Sequence, residues 1–116
     1  MTLDEHTSIE AALSRLASAG AVGAVVSDGG GRVVGSVSHD ALRRVPKDER
    51  TAPVSTVTAR VALDAGQTLE QGMQLLTEAG TDMAPVVDGD GRIALVTYRG
   101  IMRAYRAAAR ASSRPT

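Results

Sequence analysis

The sequence has no cysteine, no tryptophan and no phenylalanine, and Tyr98 and Tyr105 are its only aromatic residues. Without cysteine there is no disulfide, no thiolate nucleophile and no cysteine-ligated zinc. Two aromatics are too few to stack the bases of a single-stranded nucleic acid, and the core must come from Val, Leu, Ile, Ala and Met. Neither sign of charge is in surplus, because 13 basic residues cancel 13 acidic ones. Binding driven by phosphates needs an excess of Lys and Arg, so no nucleic-acid partner is expected. Long apolar runs are also missing: none approaches the ~18 residues that read as a membrane span. Met1-Thr2-Leu3-Asp4-Glu5 is acidic and lacks the apolar stretch of a secretory signal. The chain reads as cytoplasmic.

What remains is ordinary globular material, 116 residues of which 43% are hydrophobic. That length suits one domain, or two small units sharing a core, and buries roughly two-thirds of the unfolded surface.

The strongest signal is an internal repeat. An offset of 60 positions lays Leu3-Asp4 on Leu63-Asp64, Ile9-Glu10 on Leu69-Glu70 and Ala19-Gly20 on Ala79-Gly80. It also lays Ala24 on Ala84, Val26 on Val86, Asp28-Gly29 on Asp88-Gly89 and Gly31-Arg32 on Gly91-Arg92. Chance matches among alanines would not hold register through a helix, a strand, a turn and a second strand.

Each half reads as strand, helix, strand, strand, helix. Thr7 with Glu10, and Thr68 with Gln71, have capping-box spacing. Ile9, Leu13 and Leu16, like Leu69, Met73 and Leu76, recur at i, i+4, i+7 and mark one apolar stripe. Gly20 and Gly80 stand where a left-handed C-terminal cap belongs. Ala24–Val26 and Ala84–Val87 are too short for helices. They lead through Asp28-Gly29-Gly30-Gly31 and Asp88-Gly89-Asp90-Gly91 into Val33–Val37 and Ile93–Val96, which predicts two antiparallel hairpins. A closing helix begins after Ser38 and near Thr97. Pro46 to Pro53 is a charged connection bounded by prolines. The expected division is 1–50 for the first repeat with its linker and 51–116 for the second, with residues 107–116 as a frayed tail.

Several chemical readings fail on spacing. Ser38-His39-Asp40 has the residue types of a hydrolase triad, but chain neighbours point apart, so Ser38 or Asp40 reads as a helix N-cap. Counted from Asp88, a calcium loop would place Arg92 and Ile93 at its fifth and sixth positions, which wrecks the pattern. Gly29-Gly30-Gly31 lacks the Gly-Lys-Ser/Thr of a phosphate loop and leads into a strand. His6 and His39 have no second ligand at metal spacing. No constellation of nucleophile, base or metal ligands makes an enzyme. Arg99, Arg103, Arg106 and Arg110 form one stripe on the last helix, opposite an apolar face of Ile101, Met102, Tyr105 and Ala109. A solvated cationic face, a phosphate contact at Arg99 and Arg103, and a lipid or domain contact at Arg106 and Arg110 all fit it.

The run APVVDGDGRIALVTYRGIMRAY, Ala84 to Tyr105, resembles a CBS (cystathionine β-synthase) motif: a Pro-Val-Val-Asp strand, a Gly-Arg turn, a strand ending in Thr, then a helix. AVVSDGGGRVVGSVSHDALRRV, Ala24 to Val45, is similar to the same motif with Gly35 at the usual glycine. The resemblance implies an α/β tandem CBS pair, two β-α-β-β-α repeats with pseudo-twofold symmetry and back-to-back sheets, that assembles as a homodimer. It further implies a regulatory module for an adenosine-type ligand, AMP, ADP, ATP or S-adenosylmethionine, with no cofactor or metal required.

In such modules the hydroxyl residue closing the last strand contacts the ligand, and an Asp about three residues later holds the ribose. The hydroxyls correspond to Ser38 and Thr97. The acid position falls on Ala41, beside Asp40, and on Gly100, and no residue between Ala94 and Leu95 answers Gly35. Each lost carboxylate removes charge-assisted hydrogen bonds worth about 2–4 kcal/mol together. The resemblance draws Ser38, Asp40, Thr97, Arg99, Gly100, Pro85 and Arg103 into the candidate ligand set. A structural dimerisation module with a decayed site is the other reading. The second repeat has a lead-in, Val54 to Arg60, without a counterpart before Met1, so the chain is expected to be a piece of a longer protein. Leu42 to Arg50 resembles the inter-repeat segment of bacterial site-2-type membrane metalloproteases, with chloride channels and transporters as other parents.

Overall fold

A computed structural model describes residues 1–113. The first repeat runs β1 (Thr2–Asp4), α1 (Ile9–Ala19), β2 (Gly23–Ser27), β3 (Val33–Ser38) and α2 (His39–Arg43). The second runs β4 (Leu63–Asp64), α3 (Leu69–Ala79), β5 (Met83–Val87), β6 (Ile93–Thr97) and α4 (Tyr98–Ser113). Each repeat builds a three-stranded sheet, ordered β1-β2-β3 and β4-β5-β6. The first pair in each sheet is parallel and the second antiparallel. The 60-residue offset holds in the registers, since Leu3 lies opposite Val26 and Leu63 opposite Val86.

Local chemistry sets the element ends. Thr68 Oγ1 accepts from the Gln71 N–H at 3.1 Å while Gln71 Oε1 accepts from the Thr68 N–H at 2.9 Å, closing the expected box. The first helix differs: its cap is Ser8, which accepts from the Ala11 N–H at 3.1 Å, and Thr7 and Glu10 form no box. Ser8 stands one residue nearer the helix, and Ala11 has no side chain to reach back. Gly20 and Gly80 take φ of 62° and 66° and return their N–H groups to the preceding turn. In both hairpins one aspartate organises the loop: Asp28 Oδ1 accepts from Gly30 and Arg32, and Asp88 Oδ1 from Asp90 and Arg92.

The buried helix face is Ile9, Ala12 and Leu16 in α1, with Leu13 only half-buried; α3 buries Gly72 and Leu76, with Leu69 and Met73 half-buried. The apolar stripe is thus shifted onto the small residues Ala12 and Gly72, which let the helices approach their sheets. Residues 107–113 are helical rather than frayed, as the high helix propensity of Ala107, Ala108, Ala109 and Ala111 favours; residues 114–116 of that expected tail lie outside the described residues.

The repeats meet where β3 packs on β5. Ser36, 1% exposed, donates its hydroxyl to the Met83 carbonyl at 3.3 Å. The connection docks on the free edge of β3, the Ser36 N–H donating to Ala59 O at 3.1 Å and the Ala59 N–H to Ser36 O at 2.9 Å. Gly35 makes that approach available, because a Cβ there would overlap the Ala59 carbonyl oxygen. The β2–β3 register shifts between Val26 and Ser27, so β3 carries one extra residue beside Gly35; β5–β6 pairs without a shift. Ala94 opposes Val86 as Gly35 opposes Val26, so Gly35 does have a counterpart, and the residue absent from the second copy is the bulged Val34.

Candidate functional site

Among the described residues, two clefts are lined from both repeats. One, of about 640 Å³, is lined by Val22, Ser38, Asp40, Asp82, Met83, Thr97, Tyr98 and Arg99. Its walls are related by the offset: Val22 corresponds to Asp82, Ser38 to Thr97 and, allowing for the bulge, Asp40 to Arg99. This dyad cleft therefore sits on the pseudo-twofold axis. The second, of about 420 Å³, is bounded by the connection and by the C-terminal end of α3. Val37, Val57 and Leu76 give it apolar walls, and Arg44, Thr77, Thr81 and Asp82 give it polar groups. Ser38 and Asp82 line both clefts.

The strand ends position the hydroxyls. Ser38 ends β3 and caps α2, its Oγ accepting from the Ala41 N–H at 3.0 Å. Thr97 ends β6 and does the same for α4, its Oγ1 accepting from the Gly100 N–H at 3.0 Å. With one acceptor lone pair used, each hydroxyl keeps its proton to donate. Hairpin register carries the opposite wall. Gly23 pairs with Ser38 and Met83 with Thr97, so the residues just before β2 and β5 abut the helix starts. The Val22 carbonyl accepts from the His39 N–H at 2.9 Å and the Asp82 carbonyl from the Tyr98 N–H at 2.6 Å. Val22, an apolar side chain 68% exposed, and the exposed Asp82 carboxylate stand at matching places.

Of the residues singled out in the sequence, Ser38, Asp40, Thr97 and Arg99 come together in the dyad cleft. Gly100 is exposed at the start of α4 and serves as a donor to Thr97. Pro85 is fully buried within β5, opposite Leu95, and lines neither cleft. Arg103 lies with Tyr98, Arg99, Met102, Arg106 and Arg110 along an outer depression of α4. His39 opens α2, and Ser38 spends its oxygen on the cap, so the three adjacent residues Ser38, His39 and Asp40 do not form a triad. Among the described residues no cluster of three His, Cys, Asp or Glu could hold a metal ion, and no helix is long and apolar enough to cross a membrane. Sequence reasoning missed Asp82, Val22, Met83 and Arg44.

In chemical terms the dyad cleft offers two carboxylates, one guanidinium, the hydroxyls of Ser38, Thr97 and Tyr98, and the apolar surface of Val22 and Met83. Carboxylates suit a vicinal diol, a guanidinium suits a phosphate or carboxylate, and the apolar wall suits a ring.

Comparison with known proteins agrees with this architecture. The chain is 28% identical over 106 residues to an A-adding tRNA nucleotidyltransferase of Aquifex aeolicus (strain VF5), covering 90% of this chain but 13% of that protein. Solved structures share the fold. A conserved CBS domain protein of Thermoplasma acidophilum superposes with a TM-score of 0.70 at 23% identity, covering 88% of this chain and 61% of that one. CBSX2 in complex with AMP gives 0.65 at 24% identity, over 93% and 88%. The cytosolic domain of the Mg2+ channel MgtE in complex with ATP gives 0.66 at 22%, over 90% and 44%. The family model for the CBS domain matches residues 1–48 and again 54–107, one match per repeat, and the chain belongs to the CBS domain family as a tandem pair.

Proposed function

We propose that this chain is a regulatory module that binds an adenosine-type ligand between its repeats and signals occupancy to an attached or partner protein. The observation that carries the reading is that Ser38 and Asp82, one from each repeat, line both clefts. A ligand held there touches both repeats at once, and only its unequal affinity for two relative positions of the repeats can move them. Asp82 supplies a carboxylate for the ribose hydroxyls, standing in for the acid absent at Ala41 and Gly100. Val22 and Met83 offer the base an apolar face, and Arg99 takes the phosphate. CBSX2 with AMP and the MgtE domain with ATP support an adenine nucleotide as the ligand class. The second of these, a cytosolic domain of a channel, also supports placement on the cytosolic side of a membrane protein; a transporter or protease as the parent and a homodimer as the assembly complete the proposal. No catalytic role is part of the proposal.

The test is a thermal-shift screen against AMP, ADP, ATP and S-adenosylmethionine, followed by calorimetry on Asp82→Asn. A ligand at 100 times its Kd stabilises the fold by about 2.7 kcal/mol, a shift of several degrees for a domain this size. A shift with one adenosine compound, lost in Asp82→Asn, is expected. Ala41 and Gly100 at the acid positions favour a second reading, a purely structural dimerisation module. A stable dimer whose melting ignores every compound at millimolar concentration would establish that reading.

A further inference from the structure

Charge is segregated along this chain. Residues 1–97 carry 13 acidic against 8 basic side chains, whereas α4, Tyr98–Ser113, carries four arginines and no acidic residue. Arg99, Arg103, Arg106 and Arg110 are all exposed and share a depression of about 560 Å³ with Tyr98 and Met102. At 3.6 residues per turn the four arginines fall within an arc of about 60°, turned almost directly away from Ile101. Ile101 is the buried residue through which α4 joins the second core, so the stripe faces outward and has no part in packing. The internal repeat supplies the comparison. α2 closes the first core through Leu42, the counterpart of Ile101, and does so within five residues. The exposed continuation of α4 from Arg103 to Arg110 is therefore not required to complete a repeat.

We propose that this arginine face of α4 docks on an anionic lipid bilayer. Every residue lining the depression belongs to α4, so no second element closes over it and a small anion would be held from one side only. A row of guanidinium groups spanning about 16 Å along the helix instead matches a plane of headgroup phosphates and carboxylates. The acidic remainder of the chain argues against a nucleic acid. A long polyanion would run into the 13 acidic side chains of residues 1–97, whereas a flat surface meets the exposed helix alone. From Arg103 to Arg110 the helix offers only Tyr105 and alanines as apolar surface, so it rests among headgroups without deep insertion, and salt screens the attraction. Arg103, Arg106 and Arg110 line neither cleft between the repeats, so this proposal stands apart from the nucleotide reading.

The test is flotation of the full chain with phosphatidylcholine vesicles, with and without about 30% phosphatidylserine. Binding to the phosphatidylserine vesicles is expected at about 0.02 M salt and its loss at about 0.3 M; pure phosphatidylcholine should carry no protein. Arg103→Gln and Arg106→Gln should each weaken binding about fivefold, and together roughly 25-fold. Arg103→Lys with Arg106→Lys keeps the charge and should keep the binding, which separates the stripe's charge from any effect on the helix. Arg32→Gln with Arg92→Gln makes the same charge change on the two hairpin loops, where both side chains are exposed, and should leave binding unchanged. No flotation at low salt, or an equal loss in the hairpin variant, would overturn the proposal. Tighter capture of a DNA duplex than of vesicles through the same arginines would overturn it too. So would self-association at low salt, seen by sedimentation velocity and abolished by the Gln pair, in a chain that fails to float: the stripe would then belong to the acidic body of a second copy.

Discussion

Asp40 and Arg99 occupy the same place in the two repeats, second in the closing helix, and line one cleft with opposite charges. The frame is nearly twofold and the chemistry is not, so a ligand in the dyad cleft has a defined orientation. Asp82 adds a second carboxylate where the first repeat has the apolar Val22. One guanidinium can compensate a monophosphate, but each further phosphate meets two carboxylates in a confined space, and like-charge juxtaposition is costly. Affinity is therefore expected to fall from AMP to ADP to ATP in magnesium-free buffer. Isothermal calorimetry checks the order, and tighter binding of ATP would remove the phosphate from Arg99.

The same arrangement separates phosphate from nucleoside. Arg99→Gln removes a charge-assisted hydrogen bond worth about 1.5–3 kcal/mol, so AMP binding should weaken about 10- to 100-fold while adenosine binding is unchanged. Arg44→Gln, in the other cleft, should leave both unchanged. If Arg44→Gln is the damaging variant, the phosphate lies in the cleft beside the connection.

Gly35 ties the connection to the first sheet. A Cβ on Gly35 would overlap the Ala59 carbonyl oxygen and stand 2.9 Å from its carbon, both backbone atoms that have no rotamer by which to yield. Gly35→Ala is expected to cost about 1–3 kcal/mol and to break the Ser36–Ala59 bridge. Urea unfolding measures the cost, and hydrogen exchange at the Ala59 amide reports the bridge. An unchanged exchange rate would show that the connection is held by Val54 instead.

What the sequence disclosed was whatever chemistry is local. Caps and Asp-Gly turns are settled within about four residues, so Gly20, Gly80, both hairpins and the box at Thr68 were legible. The cap at Thr7 slipped by one because Thr7 and Ser8 are both competent, although the 60-residue offset pairs Ser8 with Thr68. Ser38, Asp40, Thr97 and Arg99 were legible as strand and helix ends, whereas Asp82 and Val22 reach the cleft through hairpin register. The clue available was that a residue just before one strand of a hairpin abuts the residue just after its partner. Pro85 entered the candidate set through the resemblance alone, and its side chain is sealed in β5, away from both clefts. Met83 had no local signature: it reaches Gly23, its own counterpart in the other repeat.

That contact makes a quantitative prediction. A Cβ on Gly23 would stand 2.6 Å from Met83 Sδ and 3.0 Å from the Val37 carbonyl oxygen. Gly23→Ala should destabilise by about 1–3 kcal/mol through overpacking, and Met83→Ala by about 2–5 kcal/mol through the cavity it leaves. Combined, each relieves part of the other's defect, so the double variant should be more stable than the sum by about 1 kcal/mol. Strict additivity in urea titrations would mean that the backbone at Gly23, and not Met83, sets the limit there.

The unequal caps offer a gain instead of a loss. Ser8 Oγ accepts from the Ala11 N–H, but the Ser8 N–H has no return partner among the described residues, while the Thr68 N–H donates to Gln71. Ala11 is exposed, so a longer side chain there meets no core. Ala11→Glu should close the second half of the box and place a negative charge in the first turn of α1, where the helix dipole favours it. The two effects together outweigh the small propensity loss from alanine, for an expected stabilisation of about 0.5–1 kcal/mol. Ala11→Leu is the control: it extends the side chain without an acceptor and should give no gain. Equal stability of the two variants in urea would show that the Ser8 N–H is already satisfied by solvent and that the box adds nothing to this helix.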